Sequence, residues 1–229
     1  YGEVDYVRQR MDATLVKGLA DHGMVVLGIS DGGFAYIISE KPLRTLGDLK
    51  GQKVWTPEGD ILTEAMFESA GISPIPLPVA DVYTGLQTGL LDTVAGIPTG
   101  IIAFQWYTSV THLTDVPLMF LSGMLAIDSK AFGRIKAGDQ AIVRAIMGDI
   151  FSKLDEVNQA DNESARAALQ NQGIEFVQPD AAERDNWEWI AKQGREQLIS
   201  RAKYTPALVD EMLGHIRAYR SRHGGGDSE

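Results

Sequence analysis

The stretch DLKGQKVWTP, residues 48–57, opens the segment that decides the fold, and IPLPVADVYTGLQTGLLDTV, residues 75–94, completes it. The first stretch predicts a turn and then a short strand, Lys53–Thr56, which Pro57 ends. Asp60 is placed to cap a helix, because its side chain can accept a hydrogen bond from the first helical turn. Gly71 is expected to end that helix, since the residue after a C-cap often needs a positive φ.

The second stretch continues the same pattern. Three prolines at alternate positions favour an extended segment, because each fixes φ and disfavours helix at the preceding residue; they are Pro74, Pro76 and Pro78. Asp81 is expected to cap a helix over Val82–Leu90, and Asp92–Ala95 is predicted as a strand. The order strand, helix, extended segment, helix, strand is typical of an α/β sheet whose loops line a cleft.

Apolar periodicity and turn residues predict the remaining elements. Predicted helices cover Val4–Ala20, Pro98–Val110, a short segment from Asp128, Gln140–Gln172, Asp180–Ala202 and Thr205–His223. Predicted strands cover Met24–Ile29, Phe34–Ser39, Leu118–Ile127 and Ile174–Val177. Ser30–Gly33 is expected to be a turn between two strands, and the apolar run at Leu118–Ile127 is expected to be buried.

Composition excludes several classes of protein. Hydrophobic residues make up 44% and charged residues 23% of the 229 residues, which is typical of a globular protein. The chain has no cysteine, so disulfides and thiolate metal sites are excluded. Its net charge of −10 argues against nucleic acid and anionic membranes as partners. No apolar run reaches the length of a membrane span.

The residues give no pattern typical of catalysis or of a metal or cofactor site. The four histidines lack metal-ligand spacing, and no G-x-S-x-G sequence is present. The glycines of Ser30–Gly33 lack both the G-x-G-x-x-G spacing and the Lys-Ser/Thr pair of phosphate loops. We therefore predict that the chain is not an enzyme and uses no cofactor or metal.

The quoted residues also carry a family resemblance. Residues 48–54, Pro57, Val82-Tyr83 with Leu86-Gln87-Thr88-Gly89, and Asp92 resemble the DctP-type solute receptors of TRAP transporters. The resemblance implies an α/β fold with two lobes, like that of periplasmic binding proteins, and a periplasmic location. It implies an extracytoplasmic subunit that captures a small organic solute between its lobes and delivers it to a sodium-coupled membrane permease.

The resemblance also implies a division of the chain. Residues 1–33 would be a remnant of the first lobe, 34–118 the core of the second, 119–160 a first-lobe strand and a lobe-bridging helix, 161–223 a second-lobe strand and C-terminal helices, and 224–229 a tail. Family members carry a leading βαβ segment that nothing here matches, so we expect a truncated first lobe. Such a lobe would expose apolar surface, and either self-association or the missing piece would cover it.

Two features test this resemblance in a structure. Lys53–Thr56 and Asp92–Ala95 should be neighbouring strands of one sheet, and Gln140–Gln172 should be one helix bridging the lobes. By this test the family assignment fails if the strands lie in separate sheets or if the helix is broken into independent pieces.

The resemblance places seven residues at the ligand site: Phe34, Ala35, Trp55, Glu58, Gly96, Pro98 and Thr99. In the family, arginines hold the positions of Trp55 and of Ala35 or its neighbour, and the former binds the ligand carboxylate. Tryptophan offers a flat ring and one N–H instead. The alternatives are that Trp55 and Phe34 are core residues and that Glu58 only complements a helix dipole.

These replacements predict the type of ligand. A small dicarboxylate would lack its cation, whereas a neutral or aromatic-bearing solute could stack on Trp55. An arginine from the missing segment, or Arg44, could restore the ion pair. Two other functions stay open: a ligand-sensing ectodomain, which a fused membrane span would favour, and an α/β enzyme with an inter-lobe cleft, which close, pKa-shifted carboxylates would favour.

Overall fold

The computed structural model describes residues 1–180, 182–201 and 203–224. The chain forms two compact units. Unit 1 comprises Tyr1–Ser30, Gly123–Asp155 and Ala202–Glu229, and unit 2 comprises Asp31–Ser122 and Glu156–Arg201.

The helices are α1 (Gly2–Asp21), α2 (Ile61–Ser69), α3 (Val82–Gln87), α4 (Pro98–Ala103), α5 (Ser129–Phe132), α6 (Ala137–Asn171), α7 (Glu183–Ser200) and α8 (Pro206–Arg222). The strands are β1 (Met24–Ser39), β2 (Trp55–Pro57), β3 (Ile75–Leu77), β4 (Thr93–Gly96), β5 (His112–Thr114), β6 (Met119–Asp128) and β7 (Glu175–Val177). The mixed α/β fold class is confirmed. No helix in the described ranges is long and apolar enough to cross a membrane.

One mixed sheet organises the strands. Its order is β4-β1-β5-β7, and β6 also pairs with β1. Strand β1 is antiparallel to β4, with Tyr36 opposite Gly96, and β5 is parallel to β7. Within the described residues, a second sheet consists of β2 and β3, which are parallel, with Trp55 opposite Ile75.

The prediction that Lys53–Thr56 and Asp92–Ala95 are neighbouring strands of one sheet is wrong. Strands β2 and β4 belong to separate sheets, joined by a single parallel bridge between Val54 and Thr93. The Val54 carbonyl accepts a hydrogen bond from Ile75 at 2.7 Å, so the chain pairs with β3 from this point. The prediction of one long helix over Gln140–Gln172 agrees with the structure, because α6 is an unbroken helix of 35 residues that contributes to both units.

The predicted turn at Ser30–Gly33 is also wrong. Strand β1 runs through it without interruption for 16 residues. Gly33 has φ 120°, and two side chains of α6 bind this segment: Asn158 donates to the Asp31 carbonyl and Asn162 to the Gly32 carbonyl. These amides satisfy the carbonyl groups, so glycine here permits close packing of a strand.

Three further predictions need correction. Asp81 precedes α3 but makes no capping hydrogen bond with its side chain, and α3 ends at Gln87. The helix predicted over Pro98–Val110 stops at Ala103, because Gln105 adopts a left-handed conformation with φ 58°. Strand β6 is exposed along its middle, although its apolar run predicted burial.

The local start and stop signals are confirmed elsewhere. Asp60 and Asp128 cap α2 and α5 through their side chains. Gly71 and Gly173 follow α2 and α6 with φ 72° and 91°. These signals act within one helical turn, which explains why they could be predicted without knowledge of the tertiary structure.

Buried apolar side chains are concentrated in unit 2. One cluster centres on Ile38, Leu113 and Leu169, and a second on Leu49 and Phe67. In the described part of unit 1, only Met11 and Phe132 are buried hydrophobic residues.

Candidate functional site

Five of the seven predicted ligand residues lie together in unit 2. The pairing of Tyr36 with Gly96 places Phe34 and Ala35 beside the turn that joins β4 to α4. Pro98 is the first residue of that helix and Thr99 the second. The structure therefore brings the segments 34–36 and 96–99 side by side at the end of a strand pair.

Ala35 and Phe34 have different surroundings. Ala35 is buried, and its carbonyl accepts a hydrogen bond from Leu118 at 2.9 Å. Phe34 is half-buried and packs edge to face on Phe120, with ring centroids 4.9 Å apart. The contact between Phe34 and Phe120 is a packing contact, which is the role given above as the alternative to ligand binding for Phe34.

Trp55 lies in the core of unit 2. It is 5% exposed, and its Nε1 donates to the Leu77 carbonyl at 2.9 Å. Its ring meets Trp106 edge to face, with centroids 5.4 Å apart. Both the ring and the N–H group are therefore engaged within the protein, which is how buried tryptophans usually behave.

Trp106 connects Trp55 to Gly96. A Cβ atom on Gly96 would lie 3.0 Å from Cζ3 of Trp106, so the indole ring packs directly on the glycine backbone. Phe104 stacks on Trp106, with ring centroids 5.4 Å apart, and is exposed. The indole Nε1 of Trp106 is buried and has no hydrogen-bond partner in the described residues. Trp106 is therefore the residue that encloses Gly96.

Asn162 holds the β4–α4 turn and was not predicted. This side chain of α6 is 3% exposed. Its Oδ1 accepts hydrogen bonds from the Thr99 amide at 3.3 Å and the Thr99 hydroxyl at 3.1 Å, and its Nδ2 donates to Gly32 and to Asn158. The Thr99 N–H that could have faced a ligand is thus bound by α6. The sequence signal that could have indicated this role was a polar asparagine on the inner, otherwise apolar face of a long predicted helix.

Glu58 lies near Trp55, because the Leu77 carbonyl accepts hydrogen bonds from both residues. It is exposed, and its backbone N–H donates to the Leu77 carbonyl at 3.3 Å. The helix that follows is capped by Asp60, which accepts from the Thr63 amide at 3.1 Å. Capping of α2 therefore does not require Glu58.

Arg166 supplies a cation that sequence reasoning missed. Its Nη2 donates to Oδ1 of Asp115 at 2.7 Å. Its guanidinium lies over the rings of Tyr36 and Phe176, 4.6 Å and 4.9 Å from their centroids. Nη1 is buried without a hydrogen-bond partner in the described residues. Cation–π contacts and one ion pair therefore hold this arginine beside the strand pair that carries Gly96.

Arg44, the other arginine considered, has a structural partner. Its Nη1 donates to the Gln178 carbonyl at 3.2 Å. Its backbone N–H binds the carboxylate of Asp48, which also accepts from the Thr45 amide. These two amides, Thr45 first, hold the pKa of Asp48 below its usual value. The Asp48 of the DLKG sequence is thus a capping carboxylate.

No cluster suited to a metal was found in the described ranges, since no group of three or more histidine, aspartate or glutamate side chains converges there. Unit 2 has a buried apolar core. Two side chains of α6 bind the segments beside it: Asn162 binds the β4–α4 turn and β1, and Arg166 lies over Tyr36 of β1. These two side chains are called here the polar clamp. The fold is thus mixed α/β, and the predicted site lies beside its larger sheet.

The chain belongs to the family "Bacterial extracellular solute-binding protein, family 7" (DctP), whose model matches residues 4–200. It is 33% identical over 223 residues to the ectoine-binding periplasmic protein TeaA of Halomonas elongata, covering 91% of this chain and 62% of that protein. It is 23% identical over 188 residues to the C4-dicarboxylate-binding periplasmic protein DctP of Rhodobacter capsulatus, covering 82% and 56%.

Its fold is similar to that of a TRAP periplasmic solute-binding protein from Xanthobacter autotrophicus Py2, solved with bound beta-D-galacturonate. The TM-score is 0.83 at 21% identity, over 95% of this chain and 70% of that one. The chain spans between 36% and 62% of the length of the first curated relatives it matches. The family assignment holds although β2 and β4 fall in separate sheets. These proteins are receptors of transporters, so the prediction that the chain is not an enzyme is confirmed.

Proposed function

We propose that this chain is part of the periplasmic solute-binding subunit of a TRAP transporter, which captures a small organic solute and delivers it to a sodium-coupled membrane permease. The observation that carries this proposal is the family match over residues 4–200, which includes the whole of the described core of unit 2. The curated relatives with named ligands bind small organic solutes, among them ectoine and C4-dicarboxylates.

We propose further that the solute carries at most one carboxylate. The position at which the family places its carboxylate-binding arginine is Trp55, whose N–H is already bound to Leu77. A carboxylate that leaves water without a charged partner loses several kcal/mol, at an order-of-magnitude estimate. Arg166 is an incomplete substitute, because Asp115 already neutralises it. TeaA, whose ligand is ectoine, matches 91% of this chain, which is consistent with this ligand class.

The seven predicted residues remain the proposed ligand set, with the contact area shifted away from the Trp55 ring. Phe34 and Thr99 are half-buried, whereas Pro98 is buried like Trp55, and Asn162 fixes the turn that carries Pro98 and Thr99. In this proposal the indole of Trp55 does not stack on the solute. It packs on Trp106, which in turn packs on the backbone of Gly96 and so holds that part of the site in place.

Titration calorimetry on the full-length protein tests the ligand class. We expect ectoine-like or neutral solutes to bind at least about tenfold more tightly than succinate or malate, equivalent to about 1.4 kcal/mol. Trp55→Phe keeps an aromatic ring and removes the N–H, so it should preserve most of the affinity. Tight binding of a simple dicarboxylate by the wild-type protein would overturn the ligand proposal.

The same subunit is proposed to associate with itself through unit 1. Support comes from the small number of buried apolar side chains there and from exposed ones such as Ile142 and Ile146.

A ligand-sensing ectodomain remains the second candidate. A membrane span or signalling domain in the intact gene product would favour it over a transporter subunit.

A further inference from the structure

The larger sheet of unit 2 has the ends of several strands at one edge. Strand β1 is antiparallel to both β4 and β5, and β5 is parallel to β7. Strands β4, β5 and β7 therefore run in the same direction, and their carboxyl ends lie at the same edge. Ligands of open α/β sheets bind outside the carboxyl ends of such strands. Tyr36 is paired with Gly96, the last residue of β4, so Tyr36 lies at this edge.

Most polar groups beside the predicted site already have a role inside the protein. The Trp55 Nε1 group donates to the Leu77 carbonyl, and the amide and hydroxyl of Thr99 donate to Asn162. The Nε1 group of Trp106 is buried. A solute oxygen that leaves water at this edge needs another hydrogen-bond partner, because a buried polar atom without one costs free energy.

The hydroxyl of Tyr36 can be that partner. The side chain is half-buried and packs against the core cluster that contains Ile38. Among the described residues, none forms a hydrogen bond with this hydroxyl, and its oxygen is not enclosed like that of Thr56. A phenolic hydroxyl both donates and accepts hydrogen bonds. It can therefore bind a carbonyl, hydroxyl or carboxylate oxygen without adding a charge to the site.

Arg166 holds the Tyr36 ring in place. Its guanidinium lies 4.6 Å from the centroid of that ring, and its Nη2 donates to Asp115 at 2.7 Å. The ion pair fixes the guanidinium, and the cation–π contact fixes the ring beneath it. A side chain that is ordered before binding loses less conformational entropy when the solute arrives. The neutralised pair also adds no net charge, which suits a solute with at most one carboxylate.

We propose that Tyr36 is a specificity-determining ligand contact, whose hydroxyl binds an oxygen atom of the solute, and that Arg166 is the positioning residue that holds it. Tyr36 is not one of the seven predicted ligand residues. The inference rests on the proposed solute binding and names a further residue of that site. A site that hydrogen-bonds a solute oxygen also discriminates against analogues that lack it.

Titration calorimetry on the full-length protein tests the contact, with ectoine, the ligand named for the relative TeaA, and with succinate as probes. Tyr36→Phe removes the hydroxyl and keeps the ring. It should weaken binding about tenfold, as expected for the loss of one hydrogen bond, and leave Tm unchanged. Tyr107→Phe is the matched control, since Tyr107 packs against the same core cluster, and it should change neither the affinity nor Tm.

A double-mutant cycle tests the role of Arg166. Arg166→Met should weaken binding about two- to tenfold in the wild-type protein and much less in the Tyr36→Phe background, because Arg166 acts through the hydroxyl. Arg166→Lys keeps a charge beside Asp115 but lacks the planar group that lies over the ring, so it should show the same dependence. A merely structural role would instead lower Tm and give equal affinity losses in both backgrounds, which would contradict the positioning role.

The outcomes separate this inference from the proposed function. If the wild-type protein binds a probe and Tyr36→Phe binds it equally well, the contact is refuted and the solute-binding proposal stands. A lower Tm with unchanged affinity would show that the hydroxyl bonds to protein, which also refutes the contact. If the wild-type protein binds neither probe, the proposed ligand class fails and the inference fails with it.

Discussion

Unit 2 and unit 1 hold together in different ways. Unit 2 has two clusters of buried apolar side chains, which include large residues such as Phe67, Leu113 and Leu169. In the described part of unit 1 the buried hydrophobic residues are Met11 and Phe132 alone. The difference indicates that apolar burial stabilises unit 2 more than it stabilises the described part of unit 1.

Unit 1 relies on a few individual contacts between helices and strands. Arg220 of α8 forms an ion pair with Glu3 of α1 at 2.7 Å, and the rings of Tyr219 of α8 and Tyr6 of α1 have centroids 5.5 Å apart. Arg8 donates to the Ile29 carbonyl at 3.0 Å and pairs with Asp155 at 3.3 Å. Partly exposed ion pairs of this kind contribute roughly 0–1 kcal/mol each. They give unit 1 its arrangement but add little to its stability.

The largest expected difference between the units comes from removing an apolar side chain. Phe67→Ala in unit 2 should cost about 3–5 kcal/mol of the free energy of unfolding, because it leaves a cavity in a closed cluster. Ile142→Ala in unit 1 should cost less than about 0.5 kcal/mol, because that residue is exposed. Urea unfolding measures both, and similar losses for the two variants would contradict the comparison.

Loss of the polar clamp should have the next largest effect. Asn162→Ala leaves the Thr99 amide, the Thr99 hydroxyl and the Gly32 carbonyl without their shared partner. The expected cost is about 2–3 kcal/mol, since buried unsatisfied groups retain most of their desolvation penalty. Asn162→Asp, the matched variant, keeps the acceptor for Thr99 and loses the donor. Equal unfolding free energies for wild type and Asn162→Ala would show that the clamp is dispensable.

A double-mutant cycle measures how tightly unit 1 is packed where it has a close contact. Gly28→Ala places a methyl group 2.2 Å from the Phe151 ring and should cost about 1–3 kcal/mol. In the Phe151→Ala background the same substitution should cost much less, because the ring is gone. Additive costs would indicate that α6 moves freely relative to this part of β1.

The smallest expected effect is a pH dependence at Asp48. Its pKa in the folded protein is lowered by hydrogen bonds from the Thr45 and Arg44 amides, so its contribution is full above the unfolded pKa, about 3.9, and is lost as the pH falls through the folded pKa. Asp48→Asn should therefore destabilise the protein at pH 7 by less than about 1 kcal/mol. The difference from wild type should vanish in acid, as unfolding measured at several pH values can show.

Much of the α/β order was predictable because its signals are local. Prolines at alternate positions and glycines after helices act on the backbone within a few residues, and they correctly indicated β3 and the ends of α2 and α6. The separation of β2 from β4 was not predictable, since it depends on which strand the Val54 carbonyl pairs with.

The sequence by itself determined the net charge, the resemblance to solute receptors and most of the succession of helices and strands, but not the single strand that runs through Ser30–Gly33. Only the tertiary structure decided that Gly33 lies within a strand, that Trp55 packs on Trp106, and that Asn162 and Arg166 clamp the turn and strands of the site. These contacts join residues 51 to 130 positions apart, such as Trp55 with Trp106 and Asn162 with Gly32. Hydrogen-bond partners that distant leave no local pattern, and packing against them determines which polar atoms a ligand can reach.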